Sequence, residues 1–131
     1  MIFVDTNYFL RFLLADNHEQ SEKVKELFLS AAEGKNQLFT SNIVIFEIYW
    51  VLSSYYQRDK TEIISTLEKI LTLEFIKIDD RPIFLQALDI FRQQPFSLED
   101  CYHLAFARIK RAKSFATFDQ KLAKAWKKLK L

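Results

Sequence analysis

The sequence predicts an α/β fold, a three-layer α/β/α sandwich around a central, mainly parallel sheet of four to five strands. Short apolar segments alternate along the chain with longer segments whose apolar residues have helical spacing. Strands that alternate with helices form a parallel sheet that helices cover on both faces. No repeat or Pro/Gly/Ser-rich linker interrupts the 131 residues, half of which are apolar, so we expect one domain over residues 1–131.

Four segments have the composition of strands. The first, Ile2-Phe3-Val4, is a short apolar run that ends at Asp5, and we interpret it as a buried strand leading into a helix. The others are Leu38–Thr40, Phe75–Ile78 and Ser114–Thr117.

Seven segments are predicted to be helical. Gly34 stands where a helix C-cap is expected, and Ser41 or Asn42 can serve as the N-cap of the third helix. The predicted helices are Thr6 to about Ala15, His18–Glu33, a segment from Ser41 or Asn42 to about Gln57, Thr61–Thr72, Arg81–Gln93, Leu98–Arg111 and a basic helix from Asp119 onward.

The composition excludes several classes of enzyme. Gly34 is the only glycine, which rules out a Walker loop, a GxGxxG dinucleotide loop and a GxSxG nucleophile elbow. One cysteine and two histidines make a zinc site of Cys and His ligands implausible. The chemistry of this protein must therefore come mostly from carboxylates.

The same composition gives expectations about location. Cys101 is the single cysteine, so no internal disulfide can form, and the N-terminal segment lacks the basic start of a signal peptide. The most apolar stretch, Ile43 to Leu52, is far shorter than the roughly 20 residues that span a bilayer and contains Glu47. We expect a cytoplasmic protein without a membrane span.

Two acidic residues directly follow predicted strands. Asp5 ends the first strand in Val4-Asp5-Thr6-Asn7, and Asp119 follows the last one in Thr117-Phe118-Asp119. Ligands of open parallel sheets bind beyond the carboxyl ends of the strands, where both carboxylates are expected. Each aspartate could instead simply cap the helix that follows it.

Two further acidic residues lie on predicted helices. Glu47 shares a stripe with Val44 and Ile48, so its carboxylate is expected on an inward face, where it must be paired, protonated or bound to metal. A structural ion pair is the alternative. Asp100 follows Ser97 by three residues, as in a capping box with Asp in place of Glu, or it belongs with the other acids.

The segments around these four acids resemble the acidic motifs of PIN domains, in order and over essentially the whole chain, and most of all those of VapC toxins from bacterial and archaeal toxin–antitoxin pairs. The segments are Phe3-Val4-Asp5-Thr6-Asn7, the stretch from Ser41 to Leu52 that contains Glu47, the stretch from Leu98 to Ala107 that contains Asp100, and Ala116-Thr117-Phe118-Asp119.

The resemblance implies a metal-dependent endoribonuclease, the toxin of a toxin–antitoxin pair, with Asp5, Glu47, Asp100 and Asp119 as metal-site acids. The resemblance also implies that the hydroxyls of Thr6 and Thr117 orient a carboxylate or a water. An oxygen-only ligand set selects Mg²⁺ or Mn²⁺. We expect Asp5 and Asp100 as direct ligands, whereas Asp119 and Glu47 hold a second ion or position water.

Other features have competing interpretations. His103 stands where the family usually has an apolar residue, and we interpret it as a partly buried packing residue rather than a ligand. The face with Lys121, Lys124 and Lys128 could bind phosphates or simply be solvated. Most aromatic residues are expected in the core or a dimer interface, with Trp50 and Tyr49 at a protein interface and some available for stacking on bases.

The resemblance also implies partners: an RNA substrate, a second copy of the chain in a homodimer, and a small antitoxin protein. Two rival functions remain open. A non-catalytic PIN-like RNA-binding or scaffold protein predicts a missing acid, whereas all four acids are present. A structure-specific DNA nuclease usually has additional helices and acids, for which this chain has little room.

Overall fold

A computed structural model describes residues 1–129. Lys130 and Leu131, the end of the predicted domain and of the predicted last helix, lie outside the described residues. Within the described range there are three short strands and seven α-helices. They are β1 (Ile2–Phe3), α1 (Thr6–Leu14), α2 (His18–Ala32), β2 (Leu38–Phe39), α3 (Asn42–Trp50), α4 (Lys60–Leu71), β3 (Ile76–Lys77), α5 (Arg81–Gln93), α6 (Leu98–Ile109) and α7 (Gln120–Leu129).

The described chain divides into two compact units, one over Met1–Arg81 and one that begins at Pro82. The first contains the whole sheet, in the order β1-β2-β3 with both pairs parallel. Leu38 of β2 pairs with Ile2 on one side and Ile76 on the other, and it is almost completely buried. The predicted α/β class and the parallel sheet are therefore confirmed.

In the first unit, α1 packs against α2 and α3, and α3 packs against α4. Phe28 of α2 contacts three other rings, those of Phe9, Phe12 and Phe75, at centroid distances of 5.9, 5.0 and 5.6 Å. Phe9 is fully buried and follows Asp5 by one helical turn. Burial of α1 against this aromatic cluster therefore fixes the start of α1, where two of the candidate residues lie.

Gly34 terminates α2 in the predicted way. Its φ of 82° is left-handed, its N–H donates to the carbonyl of Ala31, and the N–H of Lys35 donates to the carbonyl of Ser30. This pair of bonds is the Schellman motif, which satisfies carbonyls at the helix end.

Arg81 connects three backbone segments of the first unit. Its guanidinium donates to the carbonyl of Leu71 at the end of α4, to that of Leu73 and to that of Ile76 in β3. Burial lowers the pKa of Arg81 from its ordinary value, and the nearby Glu74 carboxylate opposes that shift. The arginine thus satisfies the carbonyl of Leu71, which the end of α4 leaves without a helical donor, and ties it to β3.

The second unit is built from α5, α6 and α7, of which α6 packs against α7. Phe84, Leu98 and Leu104 are among its fully buried side chains, and Phe115 stacks on Trp126 of α7 at 5.5 Å. No helix in the described part of the chain is long and apolar enough to cross a membrane.

Three sequence-based expectations were wrong in detail. Ser114–Thr117 has no regular secondary structure in the described chain, because a strand exists only through ladder bonds and no such bonds are found between this segment and β1, β2 or β3. The first strand is not buried, since β1 is an edge strand and Ile2 and Phe3 are 40% and 48% exposed. The predicted helix to Gln57 is α-helical only to Trp50 and continues as a π-helical segment, Val51–Tyr55.

Candidate active site

The first unit contains two of the four predicted acids, and Thr6 links the segments that carry them. Asp5 follows β1 and is the N-cap of α1, where its Oδ1 accepts a 3.1 Å hydrogen bond from the N–H of Tyr8. Thr6 is the first residue of α1, and its hydroxyl donates to Oε1 of Glu47 at 3.0 Å. The predicted role of Thr6 as a hydroxyl that orients a carboxylate is consistent with this bond.

Glu47 lies one turn after Val44 on α3, and Ser41 caps the start of that helix at 3.3 Å from the N–H of Val44. Val44 and Ile48 are buried, whereas Glu47 is half-buried. The helix thus places the carboxylate at the border of the core. The hydrogen bond from Thr6 offsets part of the cost of removing that charge from water.

A cavity of about 380 Å³ lies beside Asp5 in the first unit. Asn7, Tyr8 and Lys23 are among the residues that line it, together with Arg11, which also forms a 2.8 Å ion pair with Asp16. The sequence did not indicate that Lys23 and Arg11 lie beside Asp5, because Lys23 is on α2 and only helix packing brings it towards α1.

The second unit contains the other two predicted acids. Asp100 lies in the first turn of α6, where Ser97 is the N-cap and accepts a 3.2 Å hydrogen bond from the N–H of Asp100. Asp119 precedes α7, and its Oδ1 accepts from the N–H groups of Lys121 and Leu122 at 2.9 and 3.1 Å. Asp119 therefore has the capping geometry that the sequence allowed, whereas Asp100 takes part in the capping of α6 through its N–H.

Thr117 holds the turn that carries Asp119. Its Oγ1 accepts a 3.0 Å hydrogen bond from the N–H of Asp119, two residues further along the chain. Thr117 and Asp100 line one cavity of about 620 Å³ in the second unit. The structure thus brings Asp100, Thr117 and Asp119 into one region of this unit.

His103 is exposed rather than partly buried, so the expectation of a packing histidine was wrong. It lies one turn after Asp100 on α6 and lines the same cavity. The physical reason is that the buried face of α6 consists of Leu98, Cys101, Leu104 and Ala105. His103 points away from that face.

The donor chemistry of these residues fits a hard divalent cation. Each unit offers two carboxylates and a threonine hydroxyl, the oxygen donors that Mg²⁺ and Mn²⁺ prefer. Among residues 1–129, no group of three or more His, Cys, Asp or Glu side chains lies close enough together to hold a metal ion. A site made of all four acids therefore stays a prediction.

Comparison with known proteins places the chain in a family. The PIN domain model matches residues 2–128. The chain belongs to the PIN domain family. It is also similar to the VapC ribonuclease of Aquifex aeolicus (strain VF5), with 23% identity over 124 residues, 95% of this chain and 91% of that protein. No solved structure matches.

The family match covers all four acidic segments, so the resemblance to VapC-like PIN proteins is confirmed. Within this PIN domain, the structure adds residues that the motifs did not single out. Phe106 and Phe115 line the cavity beside Asp100, as do Tyr102 and Leu122. The spacing of Asp100, His103 and Phe106, three residues apart on one predicted helix, is a signal that could have indicated part of this set.

Proposed function

We propose that this protein is a metal-dependent endoribonuclease that hydrolyses RNA phosphodiester bonds, and the toxin component of a type II toxin–antitoxin pair. The observation that carries the proposal is the PIN domain match over residues 2–128, within which all four motif acids are present. The similarity to a VapC ribonuclease over 95% of the chain supports the ribonuclease activity and the toxin role.

We further propose Asp5, Glu47, Asp100 and Asp119 as the catalytic and metal-binding acids. Asp5 and Asp100 are the direct ligands, and Glu47 and Asp119 hold a second ion or position the attacking water. A bound Mg²⁺ or Mn²⁺ lowers the pKa of a coordinated water and neutralises charge on the scissile phosphate.

Three of the four carboxylates are fixed to the fold through one oxygen. Oδ1 of Asp5, Oε1 of Glu47 and Oδ1 of Asp119 each accept a hydrogen bond from the chain. The second oxygen of each carboxylate can then face a cation or a water. A carboxylate held in this way loses little rotational freedom when it binds a ligand, which favours a preorganised site.

The helix starts also favour negative charge at these positions. Asp5 and Asp119 stand at the beginnings of α1 and α7, and Asp100 lies in the first turn of α6. The positive end of a helix dipole stabilises an anion there by about 0.3–1 kcal/mol. Capping and catalysis are therefore compatible roles for the same residues.

RNA cleavage with and without metal tests the enzyme proposal. EDTA should abolish cleavage of total cellular RNA, and Mg²⁺ or Mn²⁺ should restore it. Asp100→Asn should lower the rate by orders of magnitude in the presence of either metal. Undiminished cleavage in EDTA by nuclease-free protein contradicts the metal dependence. RNA binding without cleavage in any metal would instead support the non-catalytic RNA-binding alternative.

We propose a homodimer and a small antitoxin as partners. Trp50, Ile43 and Tyr55 of the first unit are 43%, 61% and 78% exposed, which supports a protein interface near α3. An antitoxin segment with Arg or Lys complements the carboxylates. A strictly monomeric species in light scattering at micromolar concentration counts against the dimer. If no product of a neighbouring gene suppresses toxicity, the antitoxin proposal is wrong.

A further inference from the structure

The cavity beside Asp100 in the second unit has three Phe or Tyr rings in its lining, although it opens next to a proposed metal ligand. Its volume is about 620 Å³, within the roughly 300–1,000 Å³ of small-molecule sites. Tyr102, Phe106 and Phe115 line it, and His103 and Thr117 add polar groups. A purely catalytic acidic pocket does not need three aromatic rings.

The aromatic rings that line this cavity pack against other aromatic rings of the same unit. Tyr102 contacts Phe84 at 5.1 Å and Phe106 at 5.7 Å, and Phe115 stacks on Trp126. Phe84 is 1% exposed and Trp126 is 6% exposed, so both supports belong to the core of the unit. Phe106, in contrast, is 38% exposed. The cavity therefore presents an aromatic surface on a rigid base, and part of that surface faces solvent.

Positive charge lies next to the same surface. The Nζ of Lys110 is 5.6 Å from the centre of the Phe106 ring, and Arg111 and Lys113 follow as exposed residues at the end of α6. An apolar protein side chain gains nothing from this charge. A nucleotide does, because its base stacks on aromatic rings while its phosphate is neutralised by lysine or arginine.

We propose that this cavity binds one unpaired nucleobase of the RNA substrate beside Asp100, with Phe106 as the stacking surface. His103 and Thr117 supply hydrogen-bonding groups for the edge of the base. The inference rests on the proposed ribonuclease function and adds how the substrate is held. It predicts that single-stranded RNA is bound in preference to duplex RNA, whose bases are already stacked.

A fluorescent base in the RNA tests stacking directly. A short single-stranded RNA with 2-aminopurine at successive positions is titrated with the Asp5→Asn protein in Mn²⁺, and a gel afterwards confirms that the RNA is intact. One position of the probe should be quenched on binding. In the same background, Phe106→Leu should lose the quenching and bind about five- to 150-fold more weakly, which corresponds to the ~1–3 kcal/mol of one base–aromatic stack.

Two further variants separate stacking from folding. Phe106→Tyr keeps an aromatic ring and should retain both quenching and affinity. Leu85 is also 38% exposed but does not line the cavity, so Leu85→Ala should bind RNA as well as the Asp5→Asn protein does. Thermal melting confirms that each variant is folded. If Phe106→Leu is unfolded, His103→Ala and Tyr102→Leu replace it in the same comparison.

The outcomes distinguish this inference from the proposed activity. Unchanged quenching and affinity in Phe106→Leu, together with normal RNA cleavage when Asp5 is present, overturn the base site and leave the ribonuclease intact. If Phe106→Leu abolishes the quenching but the protein with Asp5 intact cuts no RNA in any metal, the base site is supported and the proposed ribonuclease activity is wrong. If Phe106→Leu weakens only the binding of the antitoxin, the cavity is a protein interface and the proposal is wrong.

Discussion

The hydroxyl of Thr6 donates a 3.0 Å hydrogen bond to Oε1 of Glu47, a residue 41 positions further along the chain. The bond joins the first residue of α1 to the middle of α3. Because Thr6 directly follows Asp5, a single contact relates the two motif acids of the first unit. The proposed role of Glu47 depends more directly on this bond than on any other contact in the described part of the chain.

Removing this hydroxyl should lower RNA cleavage without unfolding the protein. Thr6→Val keeps the shape of the side chain but leaves Oε1 of Glu47 without its donor. A hydrogen bond to a charged group contributes about 1.5–3 kcal/mol, so we expect the cleavage rate to fall by roughly ten- to 150-fold. Thr6→Ser keeps the hydroxyl and should retain most of the rate.

The matched control is Thr72→Val, which removes a hydroxyl that donates to the carbonyl of Lys69 at the end of α4. It should leave the rate unchanged. Rates are measured in Mn²⁺ at saturating RNA. Equal rates for Thr6→Val and Thr72→Val would show that Thr6 does not serve the reaction.

Asp5 and Asp59 offer a comparison between a cap with a proposed second role and a cap without one. Both are N-caps, with hydrogen bonds of 3.1 Å from the N–H of Tyr8 and 2.9 Å from the N–H of Glu62. Replacing either by Ala should lower the free energy of unfolding in EDTA by about 0.5–2 kcal/mol. Replacing either by Asn, which also caps helices, should cost less.

The stabilisation by metal should then differ between variants of these two aspartates. Bound Mn²⁺ stabilises the native protein by about 2.7 kcal/mol at a hundredfold excess over its dissociation constant. The gain should persist in Asp59→Ala and shrink in Asp5→Ala and Asp5→Asn. Melting curves with EDTA and with Mn²⁺ measure it. An equal Mn²⁺ shift in all of these proteins means that Asp5 is only a helix cap.

Arg81 should be a major source of stability in the first unit. Arg81→Met retains much of the apolar stem but removes the donors to the carbonyls of Leu71, Leu73 and Ile76. We expect a loss of about 2–4 kcal/mol in the free energy of unfolding, measured with urea. Arg58→Met, which breaks only an exposed ion pair with Glu62, should cost less than about 1 kcal/mol.

Ala15 lies at the end of α1 with a φ of 51°, a left-handed conformation that glycine adopts more readily. Ala15→Gly should therefore raise the free energy of unfolding by up to about 1 kcal/mol, because relief of ~1–2 kcal/mol of strain outweighs the added entropy of the unfolded chain. Ala123→Gly, inside α7, should instead lower it by about 0.5–1 kcal/mol. A destabilised Ala15→Gly protein in urea unfolding contradicts the argument.

Local signals in the sequence were sufficient to predict all seven helices, although several ends differ, most clearly that of α3, which is α-helical only to Trp50. The predicted bounds of Arg81–Gln93 agree with α5, and Ser41 and Gly34 have the predicted capping roles. Capping depends on hydrogen bonds between neighbours in the chain, so the sequence alone contains the information. The same holds for the four acids, whose order and spacing within their motifs indicate the PIN family that the comparison confirms.

Only the tertiary structure decided which side chains surround each acid. The bond between Thr6 and Glu47, the cations beside Asp5 and the aromatic rings beside Asp100 all depend on packing between segments distant in sequence. Strand pairing likewise decided that Ser114–Thr117 is not a strand. The exposure of His103 was decided by the packing of α6, which buries the opposite face of that helix. Long-range packing is a property of the whole chain, and no window of local sequence specifies it.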